Sequence, residues 1–501
     1  MRTHLGALNF GHVYASNEVR ERTDFEKYFY DLNSVTESLK GDKLINVILG
    51  RKGTGKTLLA HSLAKELEST AHITSVESLK DIEFHELYNY GNDEVSSKKY
   101  AQLFRWMLLV NISKNLFKNR DLFKDEEQDS LDLLGGFINS FGFNLRQLKP
   151  QKIVEQTTTF NAKASAGFTK ILSVGVDDIE SVKQTKRTYI DCVEELEDFV
   201  VNLLTDSGVD FTFFYDDLDI RFENSDFYKD GILSYLSASS ELNYRLIDEG
   251  IESKIVTLFR ADIFDVLSAP NLNQILEGNS ITLNWDAHSV SETEIFPMVI
   301  HKIKPYLQGK LKTKTADTIF DEIVDKHISN EPSRAYILHR SLGRPRDVIK
   351  MLNLVKSKYP LCDKFSSHLF LEVEGEYSRY LLKEVKNEMI GHFQQNQIEL
   401  IFSALTKLQK RSFTKNNLSK ILVKSVLDEN NLTLDKILYG LFKVGAICHY
   451  KKNNVQGGYD SRVYSYLMED YQLLIDEYTQ FEIHVGLWNV LQVKPPKNRF
   501  N

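Results

Sequence analysis

The chain has 501 residues, of which 42% are hydrophobic, 26% charged and 11% aromatic. This composition excludes a chain that is disordered over most of its length, and the length predicts about three domains. The 62 basic and 70 acidic residues give a formal charge of −8, so the chain as a whole lacks the strongly basic character of many nucleic-acid binders.

Secretion and membrane insertion are not indicated by the sequence. No segment approaches the roughly 18 uninterrupted apolar residues that a membrane-spanning helix needs, and the first residues do not resemble a signal peptide. Cys192, Cys362 and Cys448 lie far apart, without the spacing of a disulfide framework or a zinc site. We therefore expect a cytoplasmic protein with no membrane partner.

The first motif follows an apolar run, Leu44–Leu49, which is typical of a buried parallel strand. The next residues read GRKGTGKT and fit the pattern G-x-x-x-x-G-K-[ST] of a phosphate-binding loop. Glycines let the backbone turn tightly and direct consecutive N–H groups at phosphate oxygens. Lys56 is expected to contact the β- and γ-phosphates as part of the catalytic set, and Thr57 to bind Mg²⁺ through its hydroxyl. A helix from about Thr57 to Glu68 would direct its positive end at the nucleotide. The predicted nucleotide-binding residues of this segment are Gly50, Arg51, Lys52, Gly53, Thr54, Gly55, Lys56, Thr57 and Leu58.

The chain then contains a long region between predicted core strands. A short strand is expected near His72–Val76, and the next recognisable strand follows about 135 residues later, which exceeds an ordinary crossover connection. We interpret residues 85–205 as an insertion with a helical first part, a β-like part at 160–177 and a final helix at 189–208. Its function is not predicted.

A second motif is predicted at Phe211–Ile220, where an apolar and aromatic strand runs into paired carboxylates. This is the pattern of a Walker B element. Asp216 would hold Mg²⁺, which prefers oxygen ligands, and Asp217 would orient or deprotonate the attacking water, with Asp219 as a second candidate. The alternative is a strand whose acidic end begins a solvated loop.

Two further apolar runs, Lys254–Phe259 and Ser280–Trp285, suit additional parallel strands. The first is followed by Arg260, which at the carboxyl end of a strand beside the loop would sense the γ-phosphate. The alternative, which remains open at this stage, is an ion pair between Arg260 and Asp262 or Asp265.

After Trp285 the pattern becomes helical, and the segment Gly343–Asp347 reads GRPRD at the start of a helix. Pro345 suits the first turn of a helix. Arg344 and Arg346 oppose the helix dipole there, which favours an anionic ligand held between this helical lid and the core. The alternative is that both arginines pair with nearby acidic side chains.

The last part of the chain fits a winged-helix domain. Three helices are predicted, with Thr414 and Thr433 as N-caps of the second and third and Gly445 after the third. Two β-like runs with a turn-rich connection follow them. DNA contact is one expectation, carried by the basic residues of the third helix and the hairpin, and a protein-docking module is the other. The candidate basic residues are Lys436, Lys443, Lys451, Lys452 and Arg462.

Together these motifs resemble the AAA+ and STAND ATPases, and most closely a group of bacterial P-loop ATPases. The likeness rests on GRKGTGKT, the DDLD element, the strand end R-x-D-I-F at Arg260–Phe264, GRPRD and the tail E-I-H-x-G-L-W at Glu482–Trp488. The resemblance implies an ATP-driven switch with ATP and Mg²⁺ as cofactors, a protein partner or self-assembly, and a role such as antiviral defence. An arginine finger is not evident, although Arg221 and Arg245 are candidates.

We therefore expect an α/β protein with a P-loop NTPase core, a mixed insertion, a helical lid and a C-terminal winged helix. The expected function is a Mg²⁺-dependent ATPase switch. The alternatives are an ATP-regulated DNA-binding protein or loader, and a non-hydrolysing interaction module stabilised by nucleotide. The predicted domain boundaries are 1–84 and 206–290 for the core, 85–205 for the insertion, 291–390 for the lid and 391–501 for the winged helix and tail.

Overall fold

The structure is a computed structural model, and it describes nine continuous segments and four single positions. These are residues 4–69, 71–80, 97–141, 189–218, 225–264, 276–285, 290–451, 461–466 and 471–494, with positions 143, 153, 222 and 267. The chain divides into two compact units, and each is described by itself. The sheet unit comprises Asn33–Gly50 and Lys56–Thr282, and the helical unit comprises Met1–Leu32, Arg51–Gly55 and Leu283–Asn501.

The described residues form short strands and mostly longer helices, numbered in chain order. The strands are β1 Val47–Leu49, β2 His72–Ser78, β3 Asp210–Asp216, β4 Lys254–Phe259, β5 Ser280–Thr282, β6 His327–Ile328, β7 Glu331–Pro332, β8 Ser412–Thr414, β9 Ile447–Lys451, β10 Ser461–Val463 and β11 Gln480–Ile483. The helices are α1 Ala15–Glu21, α2 Val35–Gly41, α3 Lys56–Leu67, α4 Ser97–Lys118, α5 Asp125–Ser140, α6 Val193–Ser207, α7 Asp226–Asp248, α8 Ala261–Phe264, α9 Ile295–Ile303, α10 Ala316–Ile323, α11 Ser333–Arg340, α12 Pro345–Lys358, α13 Ser367–Met389, α14 Gln395–Leu408, α15 Lys415–Ser419, α16 Lys424–Glu429 and α17 Leu434–Lys443. Short 3₁₀ helices occupy Leu5–Ala7, Phe25–Tyr28, Leu32–Ser34, Arg120–Leu122, Ile190–Cys192, Lys304–Tyr306, Gly309–Thr313 and Val485–Leu487.

The sheet unit is built on a five-stranded parallel sheet with the order β2-β3-β4-β1-β5. All residues of β1 and β4 are buried, because helices cover the faces of a parallel sheet, and this explains the apolar runs in the sequence. The α/β prediction is therefore confirmed. The observed strands β1 and β5 are shorter than the predicted runs Leu44–Leu49 and Ser280–Trp285.

The helices between β2 and β3 share one hydrophobic core with the sheet. Phe104 and Trp106 of α4, Leu131 of α5 and Val200 of α6 are all buried in the cluster that also contains Phe211 of β3. Helix α4 packs against α7 and against β2. The described part of the predicted insertion thus contributes to the core of the sheet unit, while the β-like stretch 160–177 lies outside the described residues.

The helical unit contains α9 to α13, with a small antiparallel pair formed by β6 and β7. After α13 the chain forms α14 to α17 and an antiparallel sheet with the order β10-β9-β11-β8. The predicted third-helix cap is confirmed, since Thr433 Oγ1 accepts a hydrogen bond from the Lys436 backbone N–H at 3.2 Å. At the second, the Thr414 backbone N–H donates to Asn417 Oδ1 at 3.1 Å, and Gly445 has the left-handed φ of +73°.

Two features of this region differ from the prediction. A separate short helix, α16, lies between the predicted second and third helices. The sheet also contains a strand that the prediction of a two-stranded hairpin did not include, β11, which lies between β8 and β9. The turn-rich segment between β9 and β10, including Lys452 and Asp460, lies outside the described residues. Within the part of the chain that the structure describes, no helix is long and apolar enough to cross a membrane.

Candidate functional site

The predicted phosphate loop connects the end of β1 at Leu49 to the start of α3 at Lys56. Gly53 and Gly55 have φ angles of +90° and +103°, which residues with a side chain rarely adopt. Thr54 closes a tight turn, because its Oγ1 donates to the Arg51 carbonyl at 2.9 Å. The local backbone therefore has the conformation that explains the glycines of the motif.

Lys56 and Leu58 lie in the first turn of α3. Lys56 is buried, with 9% of its surface exposed, and its Nζ donates a hydrogen bond to the Gly50 carbonyl at 2.7 Å. The ammonium group is thus folded back over the start of the loop. Gly50 is in turn held by the Ala261 backbone N–H, which donates to its carbonyl at 3.4 Å.

The carboxyl end of β3 brings two carboxylates to the start of α3. Thr57 Oγ1 donates a hydrogen bond to Asp216 Oδ2 at 2.5 Å, although 159 positions separate the two residues in the chain. Asp216 is buried, and its Oδ1 accepts from the Asp217 backbone N–H at 2.8 Å. Asp217 has a φ of +67°, and its Oδ2 accepts from Ser78 Oγ at 2.7 Å. The predicted Thr57 and Asp216 are therefore in direct contact.

This arrangement supplies the oxygen donors that a hard divalent cation prefers. Thr57 contributes a hydroxyl and Asp216 a carboxylate, while the Asp217 carboxylate is oriented separately by Ser78. Among the described residues there is no cluster of three or more His, Cys, Asp or Glu side chains that could hold a metal ion.

Arg260 follows β4 and forms a two-pronged ion pair with the side chain of Asp262. Its Nε and Nη2 donate to the two carboxylate oxygens at 3.2 and 2.6 Å. Arg260 was predicted either to sense a γ-phosphate or to form an ion pair, and the structure contains the ion pair. Asp265, the other acidic candidate, lies outside the described residues.

Within the helical unit, Arg344 is buried in contact with the central residues of the loop. Its Nη1 donates to the Lys52 carbonyl at 3.0 Å, and its Nε and Nη2 bind the Asp347 carboxylate at 2.7 and 3.2 Å. It also pairs with Glu388. Burial acts to lower the pKa of Arg344, but the carboxylates of Asp347 and Glu388 outweigh burial and the pKa is raised. The predicted lid arginine therefore contacts the loop backbone and is neutralised by acidic neighbours.

Asp347 is fully buried and completes this contact. Burial acts to raise the pKa of its carboxyl, but Arg344 outweighs that effect and the pKa is lowered. Asp347 also accepts hydrogen bonds from the Leu342 backbone N–H at 3.1 Å and from Tyr380 Oη at 3.1 Å. The carboxylate therefore remains charged in the interior.

Arg346 and Arg51 lie in the same part of the helical unit. The Arg346 backbone N–H donates to the Gly53 carbonyl at 3.4 Å, and its Nη1 donates to Glu384 Oε2 at 3.1 Å. Arg51 Nη1 donates to the Leu342 carbonyl at 3.2 Å. Both lid arginines thus adopt the predicted alternative of pairing with acids, and both also contact the loop backbone.

The remaining candidates are at the surface or outside the described residues. Arg245 pairs with Asp198 and Glu249 on a helix surface. Arg462 pairs with Glu482 at 3.2 Å, whereas Lys436 and Lys451 are exposed and Lys443 is partly exposed. Arg221, Asp219 and Lys452 lie outside the described residues.

Sequence reasoning missed several residues that contact the predicted site. Ser78 is paired in register with Asp216 across β2 and β3, a relationship that needs the strand alignment. Glu384 and Glu388 lie four residues apart and so share one face of α13, which is the only signal that the sequence offered. Trp285 donates from Nε1 to the Thr54 carbonyl at 2.8 Å.

A comparison with models of protein families gives a match over part of the chain. Residues 293–386 match a family model described as the FunZ-associated C-terminal helical domain. This range includes α9 to α12 and most of α13, and so contains Arg344, Arg346 and Glu384. No curated protein matches the chain. The matched residues are therefore similar to a C-terminal helical domain.

Proposed function

We propose that the chain is a Mg²⁺-dependent ATPase of the P-loop class that acts as a switch. The observation that carries this proposal is the 2.5 Å hydrogen bond between Thr57 Oγ1 and Asp216 Oδ2. It joins the hydroxyl that follows the loop lysine to the carboxylate at the end of a buried strand. Such a pair supplies two ligands of a nucleotide-bound magnesium ion.

The other residues have roles that follow from their positions. Backbone N–H groups of Gly53 and Gly55, together with the N-terminus of α3, would bind phosphate oxygens. Lys56 would exchange its hydrogen bond with the Gly50 carbonyl for the β- and γ-phosphates. Asp217, oriented by Ser78, would accept a proton from the attacking water. A bound Mg²⁺ ion would neutralise charge on the β- and γ-phosphates.

Adenine as the base rests on the resemblance and on the absence of an N-K-x-D sequence, which GTPases use for guanine. Arg260 would reach a γ-phosphate only by giving up part of its pair with Asp262. We further propose that α14 to α17 with β8 to β11 form a winged helix, through which the switch acts on a protein partner or on further copies of the chain. A role in antiviral defence rests on the resemblance alone.

Phosphate release from ATP tests the ATPase proposal. We expect turnover by the wild type with Mg²⁺, and at least a hundredfold loss in Lys56→Ala and in Asp217→Asn. Lys65→Ala, on the exposed side of the same helix α3, is the matched control and should retain turnover. Absence of both ATP binding and turnover in the wild type would overturn the proposal. Tight binding without turnover would instead support a non-hydrolysing module stabilised by nucleotide.

A second candidate function is DNA binding, and one local charge pattern favours it. Residues 400–427 contain six basic residues and no acidic residue, in a chain whose net charge is −8. Arg411 and Lys415 pair with acidic side chains. Lys407, Lys410, Lys420 and Lys424 are exposed, and none of them forms an ion pair with another described residue. These lysines could contact the phosphates of a DNA backbone without regard to base sequence.

A gel-shift titration with duplex DNA tests this second candidate. We expect binding at low salt that weakens steeply as salt rises, and a loss of binding when the four exposed lysines are changed to Glu. A second variant, in which Lys451 and Lys452 are changed to Glu, measures how much the predicted hairpin contributes to DNA affinity apart from α14 to α16. No shift at low salt would remove DNA binding. Stimulation of ATP turnover by DNA would favour a loader.

A further inference from the structure

An ion-pair network in the helical unit surrounds the central residues of the phosphate loop. Its basic members come from the loop and from the start of α12, and its acidic members come from α12 and α13. The basic residues are Arg51, Lys52, Arg344 and Arg346, and the acidic residues are Asp347, Glu384 and Glu388.

The network consists of two groups of ion pairs, one around Asp347 and Glu388 and the other around Glu384. In the first group Arg344 pairs with both Asp347 and Glu388, and Arg51 pairs with Glu388 at 3.8 Å. In the other group Arg346 and Lys52 share Glu384 alone among these three acids. A single oxygen, Glu384 Oε2, lies 3.1 Å from Arg346 Nη1 and 3.7 Å from Lys52 Nζ. Glu384 therefore holds both of these basic side chains.

Arg346 lies directly beside the loop. A Cβ atom placed on Gly53 would be 3.0 Å from the Cβ of Arg346 and 3.2 Å from its Nε. That Nε is buried and has no hydrogen-bond partner within the described part of the chain. The absence of a side chain at Gly53 is therefore what allows the Arg346 guanidinium to approach the loop.

We propose that Glu384 is a counter-ion that competes with nucleotide phosphate for Lys52 and Arg346, and so sets how strongly affinity depends on the number of phosphates. The proposal rests on the proposed nucleotide-binding function. Carboxylate and phosphate oxygens are both acceptors for Lys and Arg donors, and Glu384 is only 5% exposed, so its charge is weakly screened.

The inference predicts the direction in which nucleotide affinity changes when the Glu384 carboxylate is removed. Removing one negative charge from beside the loop raises the local positive potential, and the effect grows with the charge of the ligand. A residue that only supports the fold would lower stability and leave the ratio of ATP to ADP affinity unchanged. Glu384 acts through Lys52 and Arg346 and is therefore a positioning residue.

The test compares Glu384→Gln with Glu374→Gln. Glu374 also lies on α13 and pairs with an arginine, since Arg340 Nε donates to it at 3.0 Å, but within the described part of the chain it forms no ion pair with a residue of the loop. Affinities for ATP, ADP and AMP are measured by calorimetry together with the melting temperature of each variant. We expect Glu384→Gln to tighten ATP binding about fivefold and ADP binding by less, with AMP unchanged.

The control variant should leave all three affinities at the wild-type values. Equal or weaker ATP binding by Glu384→Gln would overturn the inference while wild-type binding upholds the proposed function. Failure of the wild type to bind any of the three nucleotides would overturn the proposed function itself. If Glu384→Gln does not fold, Lys52→Met should weaken ATP binding about fivefold, and an unchanged affinity would overturn the inference.

Discussion

Ser78, the last residue of β2, donates a hydrogen bond from Oγ to Asp217 Oδ2 at 2.7 Å. The neighbouring carboxylate, Asp216, accepts instead from Thr57 and from the Asp217 backbone. Two adjacent acidic residues are thus held by different partners. This difference is consistent with the separate roles proposed for them, Asp216 as a ligand of the ion and Asp217 as the acceptor of a proton from the attacking water.

The first prediction concerns Ser78→Ala. Without the hydroxyl, Asp217 loses the donor that fixes its carboxylate, while the loop and the Thr57–Asp216 pair are untouched. We expect ATP turnover to fall about tenfold, equivalent to about 1.4 kcal/mol in the barrier, with no change in ATP affinity. Single-turnover kinetics and equilibrium binding measure the two quantities.

Ser75→Ala is the matched control for Ser78→Ala. Ser75 lies on the same strand, and its hydroxyl is buried with no hydrogen-bond partner in the described part of the chain. We expect turnover by Ser75→Ala to match the wild type. An equal loss of turnover in both variants would show that β2 tolerates no substitution, and the orienting role of Ser78 would be wrong.

The second prediction concerns the dependence on Mg²⁺. Thr57→Ala removes one of the two proposed ligand oxygens, whereas Thr57→Ser retains it. We expect Mg²⁺ to tighten ATP binding in the wild type and in Thr57→Ser, and to do so at least tenfold less in Thr57→Ala. Affinities measured with Mg²⁺ and with EDTA give the comparison. A Mg²⁺ effect that survives in Thr57→Ala would remove Thr57 from the metal site.

The parts of the site that could be predicted from sequence are those that local rules determine. The loop needs positive φ at Gly53 and Gly55, and the carboxylates follow directly after an apolar strand, so both patterns are visible in a short stretch of sequence. The residues that were missed depend on relationships across the chain. Ser78 meets Asp217 only because β2 and β3 are paired in one particular register.

The lid arginines illustrate a second limit of sequence reasoning. The segment GRPRD indicated an anionic partner, but it did not reveal whether that partner is a ligand or a side chain. The carboxylates Glu384 and Glu388 that pair with Arg346 and Arg344 lie about 40 positions later, and helix packing alone brings them together. The sequence also did not predict that α4 belongs to the core of the sheet unit, because this depends on tertiary packing.

The third prediction concerns the buried cation of the helical unit. Arg344→Met removes the arginine that pairs with Asp347 and one of the two arginines that pair with Glu388. The buried Asp347 carboxylate then loses its ion-pair partner, which costs about 3–5 kcal/mol. The free energy of unfolding of the helical unit, measured by urea denaturation, should show this loss of stability. Arg334→Met is the control, because Arg334 pairs with the exposed Asp317 and Asp321 and should cost less than about 1 kcal/mol.

Equal effects of the two variants would contradict this prediction. Such a result would mean that the buried ion pair of Arg344 contributes no more to stability than the surface ion pair of Arg334. Arg344→Lys gives a further distinction, since an ammonium group cannot bind Asp347 with two nitrogens and also reach the Lys52 carbonyl. We expect this variant to recover only part of the stability that Arg344→Met loses.

The fourth prediction concerns His484, which is fully buried in the tail segment. Its Nδ1 accepts from the Gly486 backbone N–H at 3.1 Å, and its Nε2 donates to the Ser341 carbonyl at 3.1 Å, so the ring is neutral with the proton on Nε2. Burial lowers the pKa of His484 from 6.5 to about 3. The unfolded chain therefore takes up a proton at this residue at higher pH than the folded chain does.

The sign of the pH effect follows from that difference. The stabilisation is fully present above pH 6.5 and is lost as the pH falls from 6.5 through about 3, because protonation favours the unfolded chain in this window. At pH 5 the loss amounts to about 2 kcal/mol.

His484→Asn retains an acceptor near the Nδ1 position but does not titrate, so its stability should fall by about 2 kcal/mol less than that of the wild type between pH 7 and pH 5. His368→Asn removes an exposed histidine and should follow the wild-type profile. Urea unfolding at several pH values measures all three proteins, and parallel profiles for the wild type and His484→Asn would show that His484 is not the residue that titrates.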